Sequence, residues 1–292
     1  MHRPKQQKKI YEVSLTCKEG NSFEAQILRS LLARMSIKNT QIAESHFGLT
    51  AEISIYFPSL AKAKSLCDCL KIMRLKSIAV KIKTLKNKDW LNRWKEDFKP
   101  FMLTKTIRVI PTWLKRPNDK LPVKTIFIDT VSAFGTGLHE TTRFMSRLIE
   151  EYRGQYESFL DIGTGTGILT FVALRNGARK VTAFDYDRHA VEAAKKNFIS
   201  NGHCPSVVKH ADISKFKTKK QYDFVAANLI TLDLIKFCQK IYSFVKPKKY
   251  LAVSGISLEN FPLFRRSFEN CSLRCREVIK GKEWVAVLYQ KH

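Results

Sequence analysis

No C-x-x-C pair occurs in the chain, and no His/Cys cluster has zinc spacing. The seven cysteines, Cys17, Cys67, Cys69, Cys204, Cys238, Cys271 and Cys275, are odd in number and scattered. That pattern excludes a fully paired disulfide framework and predicts reduced, structural thiols and no metal. Nor is there an apolar run approaching the roughly 20 residues that a bilayer span requires. The opening residues Met1 to Lys9 lack the apolar core of a signal peptide, so a soluble cytoplasmic protein with no membrane partner is expected. Acidic residues are scarce, 26 against 52 Lys+Arg, for a net charge of +26. The excess is uneven: residues 1–124 hold 26 basic and 10 acidic side chains, and residues 125–292 hold 26 and 16. Such a surplus favours contact with RNA, a ribonucleoprotein or an acidic partner, since many phosphates can be neutralised together. A solvated basic surface is the plain alternative. Glycine is also sparse, 12 in 292 residues, so a place where three recur at alternate positions is informative.

That place is Ser158-Phe-Leu-Asp-Ile-Gly-Thr-Gly-Thr-Gly167. Phe159, Leu160 and Ile162 read as a short buried strand, and Gly163, Gly165 and Gly167 as a sharp turn into a helix over Ile168 to Arg175. Without Cβ atoms the turn lets backbone approach a ligand closely. The dinucleotide fingerprint G-x-G-x-x-G would need its third glycine at Ile168, which weakens a pyrophosphate reading. A second strand, Lys180 to Phe184, closes on Asp185, where a carboxylate can accept hydrogen bonds from ribose hydroxyls. Together with Asp161, this pattern looks like the S-adenosylmethionine site of a class I methyltransferase; a simple tight turn is the alternative.

At 292 residues the chain has room for about two domains. Residues 1–84 read as βαββαβ: strand Tyr11 to Thr16, helix Ser22 to Met35, strand Gln41 to Phe47, strand Glu52 to Phe57, helix Ser59 to Met73 and strand Ile78 to Ile82. That order predicts a ferredoxin-like α+β sandwich serving recognition, because no catalytic constellation falls in it. Residues 85–124 read as a linker helix carrying Trp90, Trp94 and Phe98, stopped by Pro100, followed by strands from Met102 to Ile110 and from Thr125. In residues 125–292 strands alternate with helices, near 158–162, 180–185, 206–210, 222–227, 249–254, 271–278 and 283–289. This predicts an α/β, Rossmann-like doubly wound sheet closed by an antiparallel hairpin. Ligands in such sheets sit beyond the carboxyl ends of the strands, where the glycine loop, Asp185, Asp212 and Asn228 fall.

A second segment, Ala133-Phe-Gly-Thr-Gly-Leu-His-Glu-Thr-Thr142, runs into an amphipathic helix. Thr141 or Thr142 reads either as a helix cap or as part of a lid whose hydroxyls bond the polar end of a cofactor. Phe134-Gly-Thr-Gly137 with His139 and Thr141-Thr142, then Asp161 to Gly167, Asp185, Ala227-Asn228-Leu229-Ile230 and Ser254-Gly255-Ile256, resembles the PrmA family. Asp89-Trp90, Trp94 and Phe98-Lys99-Pro100 are similar to that family's linker, and Glu283-Trp284 to its closing strand, so the likeness covers about 88–292. The resemblance implies a small recognition domain, a linker helix and a class I methyltransferase domain. It also implies methyl transfer to lysine side chains and the terminal amine of large-subunit ribosomal protein eleven. By it, Thr141, Thr142, Gly163, Asp185 and Asn228 contact the cofactor. Leu138 and Glu140 stand where the family usually has Thr and Pro, Thr164 and Thr166 where it has Cys and Ser, and Asn260 where it has Gln. Asp212 is placed to bond the adenine amino group or to cap the following turn.

Methyltransferases that act on planar nitrogens typically carry Asn/Asp-Pro-Pro-aromatic after the fourth strand, and here Asn228 is followed by Leu229, Ile230 and Thr231. An amine acceptor is therefore expected, oriented by Asn228, with His139 as the candidate titrating helper. Two other readings are an RNA methyltransferase acting on rRNA or tRNA, motivated by charge, and a catalytically silent RNA-binding protein. A monomer is expected, with rRNA contact through its basic surface.

Overall fold

The computed structural model describes residues 9–18, 42–47, 50–57, 59–72, 78–86, 99–116, 124–129, 137–269 and 271–292. The chain divides into two compact units, Met1–Phe98 and Lys99–His292.

The first unit contains β1 (Lys9–Lys18), β2 (Ile42–Phe47), β3 (Thr50–Phe57), α1 (Leu60–Ile72) and β4 (Ile78–Lys86). The strands form one antiparallel sheet in the order β2-β3-β1-β4. Alternation sends Val13 and Leu15 of β1 and Ile55 and Phe57 of β3 to the same face. There they bury against Ala63, Leu66, Cys67 and Leu70 of α1, which recur at helical spacing. The helix expected over Ser22 to Met35 and the linker tryptophans Trp90 and Trp94 lie outside the described residues.

The second unit opens with a small sheet of β5 (Phe101–Met102), β6 (Ile107–Pro111) and β7 (Lys124–Ile128), with β5-β6 antiparallel and β6-β7 parallel. A single strand was expected from Met102 to Ile110. The Thr104 hydroxyl breaks it by accepting from the N–H groups of Thr106 and Ile107, at 3.3 and 3.0 Å, which draws the backbone into a turn. Leu103, Ile107, Val109, Ile126 and Ile128 are fully or almost fully buried with Met145, Phe159 and Val172 in one core. The strands expected in the connecting segment 85–124 thus belong to the second unit.

The main sheet consists of β8 (Ser158–Ile162), β9 (Lys180–Asp185), β10 (Val208–His210), β11 (Tyr222–Asn228), β12 (Val245–Ser257), β13 (Leu273–Lys280) and β14 (Trp284–Lys291). Its order is β10-β9-β8-β11-β12-β14-β13. The first five strands are parallel, and β14 runs antiparallel between β12 and β13. The expected terminal hairpin is present, with its second strand inserted beside β12. Phe159, Phe224 and Ala252 face α2 (Glu140–Glu151), α3 (Ile168–Arg175) and α4 (Arg188–Ser200). Leu160, Val225 and Val253 face α5 (Thr231–Lys236), α6 (Cys238–Ser243) and α7 (Phe261–Glu269). Burial on both faces explains why these strands read as continuous apolar runs. Chain order reverses between β8 and β11, and the crevice at their carboxyl ends is the place where such sheets bind ligands. Among the described residues no helix is long and apolar enough to cross a membrane.

Candidate active site

The glycine loop leaves β8 and is stitched to the end of β9. The N–H groups of Gly163 and Thr164 donate to the Phe184 carbonyl at 2.9 and 3.1 Å, and the Gly165 N–H donates to Asp185 Oδ2 at 2.9 Å. Gly163, Gly165 and Gly167 all have positive φ, at 72°, 56° and 87°, a region that a Cβ disfavours. A Cβ on Gly163 would also collide with the Leu229 side chain.

Asp185 accepts from Gly165 through Oδ2 and from the Asp187 N–H through Oδ1, at 3.0 Å, so its carboxylate is pinned at the strand tip. Burial raises its pKa, and the N–H donors oppose the rise. On the neighbouring strand Asp161 is completely buried, with Oδ2 accepting from the hydroxyls of Thr164 and Thr170 at 2.8 and 2.7 Å. Burial pushes its carboxyl up to about 6 against those donors. Its Oδ1 has no hydrogen-bond partner among the described residues, and neither does the buried Oγ1 of Thr142. Orphaned polar atoms are costly unless something else meets them. Both lie in the segments that border the crevice, so these residues fit a polar ligand held against the loop.

Across the crevice, β11 ends on Asn228, whose Nδ2 donates to Thr141 Oγ1 at 3.2 Å. Thr141 Oγ1 lies 2.8 Å from His139 Nδ1, and the Thr141 backbone N–H also donates to Nδ1, at 3.3 Å. An Nδ1 that accepts from the backbone carries no proton, so the neutral ring holds its hydrogen on Nε2. The threonine hydroxyl then donates to histidine and accepts from asparagine. This fixes the Asn228 amide with Nδ2 toward Thr141 and Oδ1 turned away. The edge of the His139 ring meets Trp284 at 5.5 Å between centroids.

A threonine was one expected cap for α2, but the cap is His139. Thr141 and Thr142 occupy the first turn itself and are buried. Asp212 is exposed and its Oδ1 accepts from the Ser214 N–H at 2.7 Å, the turn-capping arrangement; the Ser214 side chain and then this backbone bond lower its pKa. Thus Gly163, Gly165, Gly167 and Asp185 lie together at the carboxyl ends of β8 and β9, Asn228, Thr141 and His139 are joined at the end of the neighbouring β11, and Asp212 stands at the exposed turn after β10. Phe134 to Thr136 lie outside the described residues. Gly137, with φ 89°, packs where a Cβ would meet Ile168 and Phe101.

Three supporting residues escaped the sequence reading. Asn197 is completely buried in α4, donating to the Thr166 carbonyl at 3.0 Å and accepting from the Asp129 N–H at 2.7 Å. Asn201, one turn on, bonds both backbone groups of Phe127. Two asparagines four apart in a helix are an available signal for such a clamp. Thr170, a hydroxyl within the otherwise apolar helix Ile-Leu-Thr-Phe-Val-Ala-Leu, is another. Among the described residues no group of three or more His, Cys, Asp or Glu side chains could hold a metal ion.

The sheet order, the glycine loop stitched to an acidic strand tip and the facing asparagine define a class I methyltransferase, with S-adenosylmethionine as its methyl donor. The family model of ribosomal protein L11 methyltransferases (PrmA) matches residues 6–292. The chain belongs to that family. It is similar to the ribosomal protein L11 methyltransferase of Pelobacter propionicus, 33% identical over 218 residues that cover 72% of this chain and 69% of the relative. The corresponding protein of Dictyoglomus turgidum is 29% identical over 276 residues, covering 93% and 88%. The crystal structure of a ribosomal protein L11 methylase from Lactobacillus delbrueckii subsp. bulgaricus shares the fold, with a TM-score of 0.60 at 23% identity. It matches over 67% of this chain and all of its own length.

Proposed function

We propose that this chain methylates ribosomal protein L11 at lysine ε-amines and the terminal amine. The observation that carries the reading is the Asn228 amide, locked by Thr141 and His139 and followed by Leu229, Ile230 and Thr231 with no prolyl-aromatic clamp for a planar nitrogen. S-adenosylmethionine supplies an activated methyl on a sulfonium. Gly163, Gly165, Gly167, Asp185, Thr141, Thr142 and Asn228 would hold it, and Asp212, exposed after β10, would reach its adenine amino group. The unpartnered hydroxyl of Thr142 and Oδ1 of Asp161 support a polar group lying in the crevice.

Asn228 Oδ1 accepts an N–H of the incoming amine and so aims its lone pair. The amine must first be neutral, since lysine with a pKa near 10.4 is overwhelmingly an ammonium at pH 7. Desolvation in the site would disfavour the ammonium, and its proton would leave to water. Alignment then supplies most of the acceleration, with no dedicated base. His139 holds the Thr141 hydroxyl and, through it, the amide. The recognition role falls to residues 1–84, and the segment after them joins a catalytic unit that begins at Lys99 and includes the β5-β6-β7 sheet. The enzyme acts as a cytoplasmic monomer on L11, free or on the ribosome, where its charge of +26 suits contact with rRNA.

Incubation with labelled S-adenosylmethionine, purified L11 and rRNA tests the proposal. Label in L11 amines, located by mass spectrometry, is expected. Label in RNA instead would establish the alternative that the basic charge favours, and no transfer to either would make the chain a silent binding protein.

A further inference from the structure

The first residue of α2 is Glu140, and its side chain does not stay on its own helix. Oε1 accepts from the backbone N–H of Lys282 at 3.2 Å, in the turn between β13 and β14. The carboxylate lies so close over Gly281 that a Cβ there would collide with it. That turn is otherwise held by its own sheet: Gly281 N–H donates to the Trp284 carbonyl at 2.9 Å, and Leu258 N–H donates to the Glu283 carbonyl at 3.0 Å. Two residues beyond Lys282, Trp284 meets the ring of His139, the residue just before Glu140. The contact therefore ties the start of α2, which carries His139, Thr141 and Thr142, to the one turn of the antiparallel hairpin that reaches the carboxyl edge of the sheet.

We propose that Glu140 is a positioning residue, a latch that fixes the cap of α2 against the Gly281-Lys282 turn and so sets the Asn228-Thr141-His139 chain. The inference builds on the methyltransferase reading above. Glycine at 281 is explained by the same contact. Its φ is not in the left-handed region, so what a Cβ there would meet is the Glu140 carboxylate, a flexible side-chain end that would have to swing off the turn.

A carboxylate at the first position of a helix also interacts with the helix dipole, and substitution separates the two roles. Glu140→Gln keeps an acceptor oxygen at the same reach and loses the charge. Glu140→Asp keeps the charge and falls short by about 1.5 Å. The latch requires Glu140→Gln to stay within about twofold of the parent in S-adenosylhomocysteine affinity and in kcat/KM toward L11. It requires Glu140→Asp to lose about fivefold, the scale of one ordinary hydrogen bond. Gly281→Ala should cost a similar factor in the parent and nothing further in Glu140→Ala, a non-additive cycle. Equal loss from Gly281→Ala in both backgrounds, or Glu140→Asp matching the parent while Glu140→Gln fails, would overturn it. Calorimetric binding of S-adenosylhomocysteine needs no acceptor. A protein that binds normally but methylates nothing therefore counts against the proposed function, and the cycle still judges the latch.

Discussion

The substitution Asp161→Asn gives the sharpest test of the electrostatics of the site. Asp161 is completely buried, and burial lifts its carboxyl from 3.8 to about 6, with the nearby charge of Asp185 adding to the lift and the hydroxyls of Thr164 and Thr170 resisting it. A folded-state value above the unfolded one means that the protonated side chain is favoured by folding. The associated stability is present in full below about pH 4 and is lost as pH rises through about 6. A shift of about two units corresponds to about 3 kcal/mol. The amide that replaces the carboxyl carries no titrating proton. Its oxygen can still accept from both threonines, while its NH2 replaces the unpartnered oxygen at a cost of about 1–2 kcal/mol. The constant cost sets the offset between Asp161→Asn and the parent, and the carboxyl alone makes that offset depend on pH. The stability of the variant minus that of the parent should thus grow by about 2–3 kcal/mol from pH 4 to pH 7.5. Urea unfolding, followed by Trp284 emission in a background without the other three tryptophans, measures it provided that the slopes agree. A difference that is flat across this range would refute the argument that burial sets the charge of Asp161.

Asn228→Ala should lower kcat about 100-fold under saturating cofactor, on the scale found for removing one preorganised polar group, and near-parental turnover in a labelled-methyl assay would remove Asn228 from the mechanism. Gly163→Ala combines a positive φ with a collision on Leu229 and is expected to weaken S-adenosylhomocysteine at least about tenfold by calorimetry. Gly177→Ala, with φ 103° but open space around it, should lower the melting temperature and leave that affinity unchanged. Asn197→Ala removes a hydrogen-bond partner from the half-buried N–H of Asp129 and the buried carbonyl of Thr166. A loss of about 3 kcal/mol, roughly 6–12 °C in melting temperature, is expected by calorimetric scanning.

Much of the second unit was legible because its signals are local. Strands buried on both faces spell continuous apolar runs, and Gly163, Gly165 and Gly167 stand where the backbone takes positive φ. The helix over Ile168 to Arg175 has the bounds expected of it. What escaped was decided by side chains acting across the sequence. Thr104 bends a strand that its apolar neighbours would have continued. His139 takes the cap that was one of the two readings of Thr141 and Thr142, both of which are buried in the first turn. The insertion of β14 between β12 and β13 follows from pairing, which alternation alone does not encode. Within the site the loop and Asp185 were readable from spacing. The chain from Asn228 through Thr141 to His139 joins residues 87 positions apart and becomes visible only in three dimensions.

The contact between Glu140 and the hairpin turn spans 142 residues of chain, and this separation has a consequence in time. At about 5–20 residues per second of synthesis, roughly 7–28 s pass between the emergence of the α2 cap and that of the turn that docks on it. During that interval the glycine loop and β9 can assemble, while His139 still waits for Trp284. A nascent chain can therefore form the cofactor loop well before it can orient an acceptor. The latch contact arrives late, only after all of the main sheet up to β13 has been made.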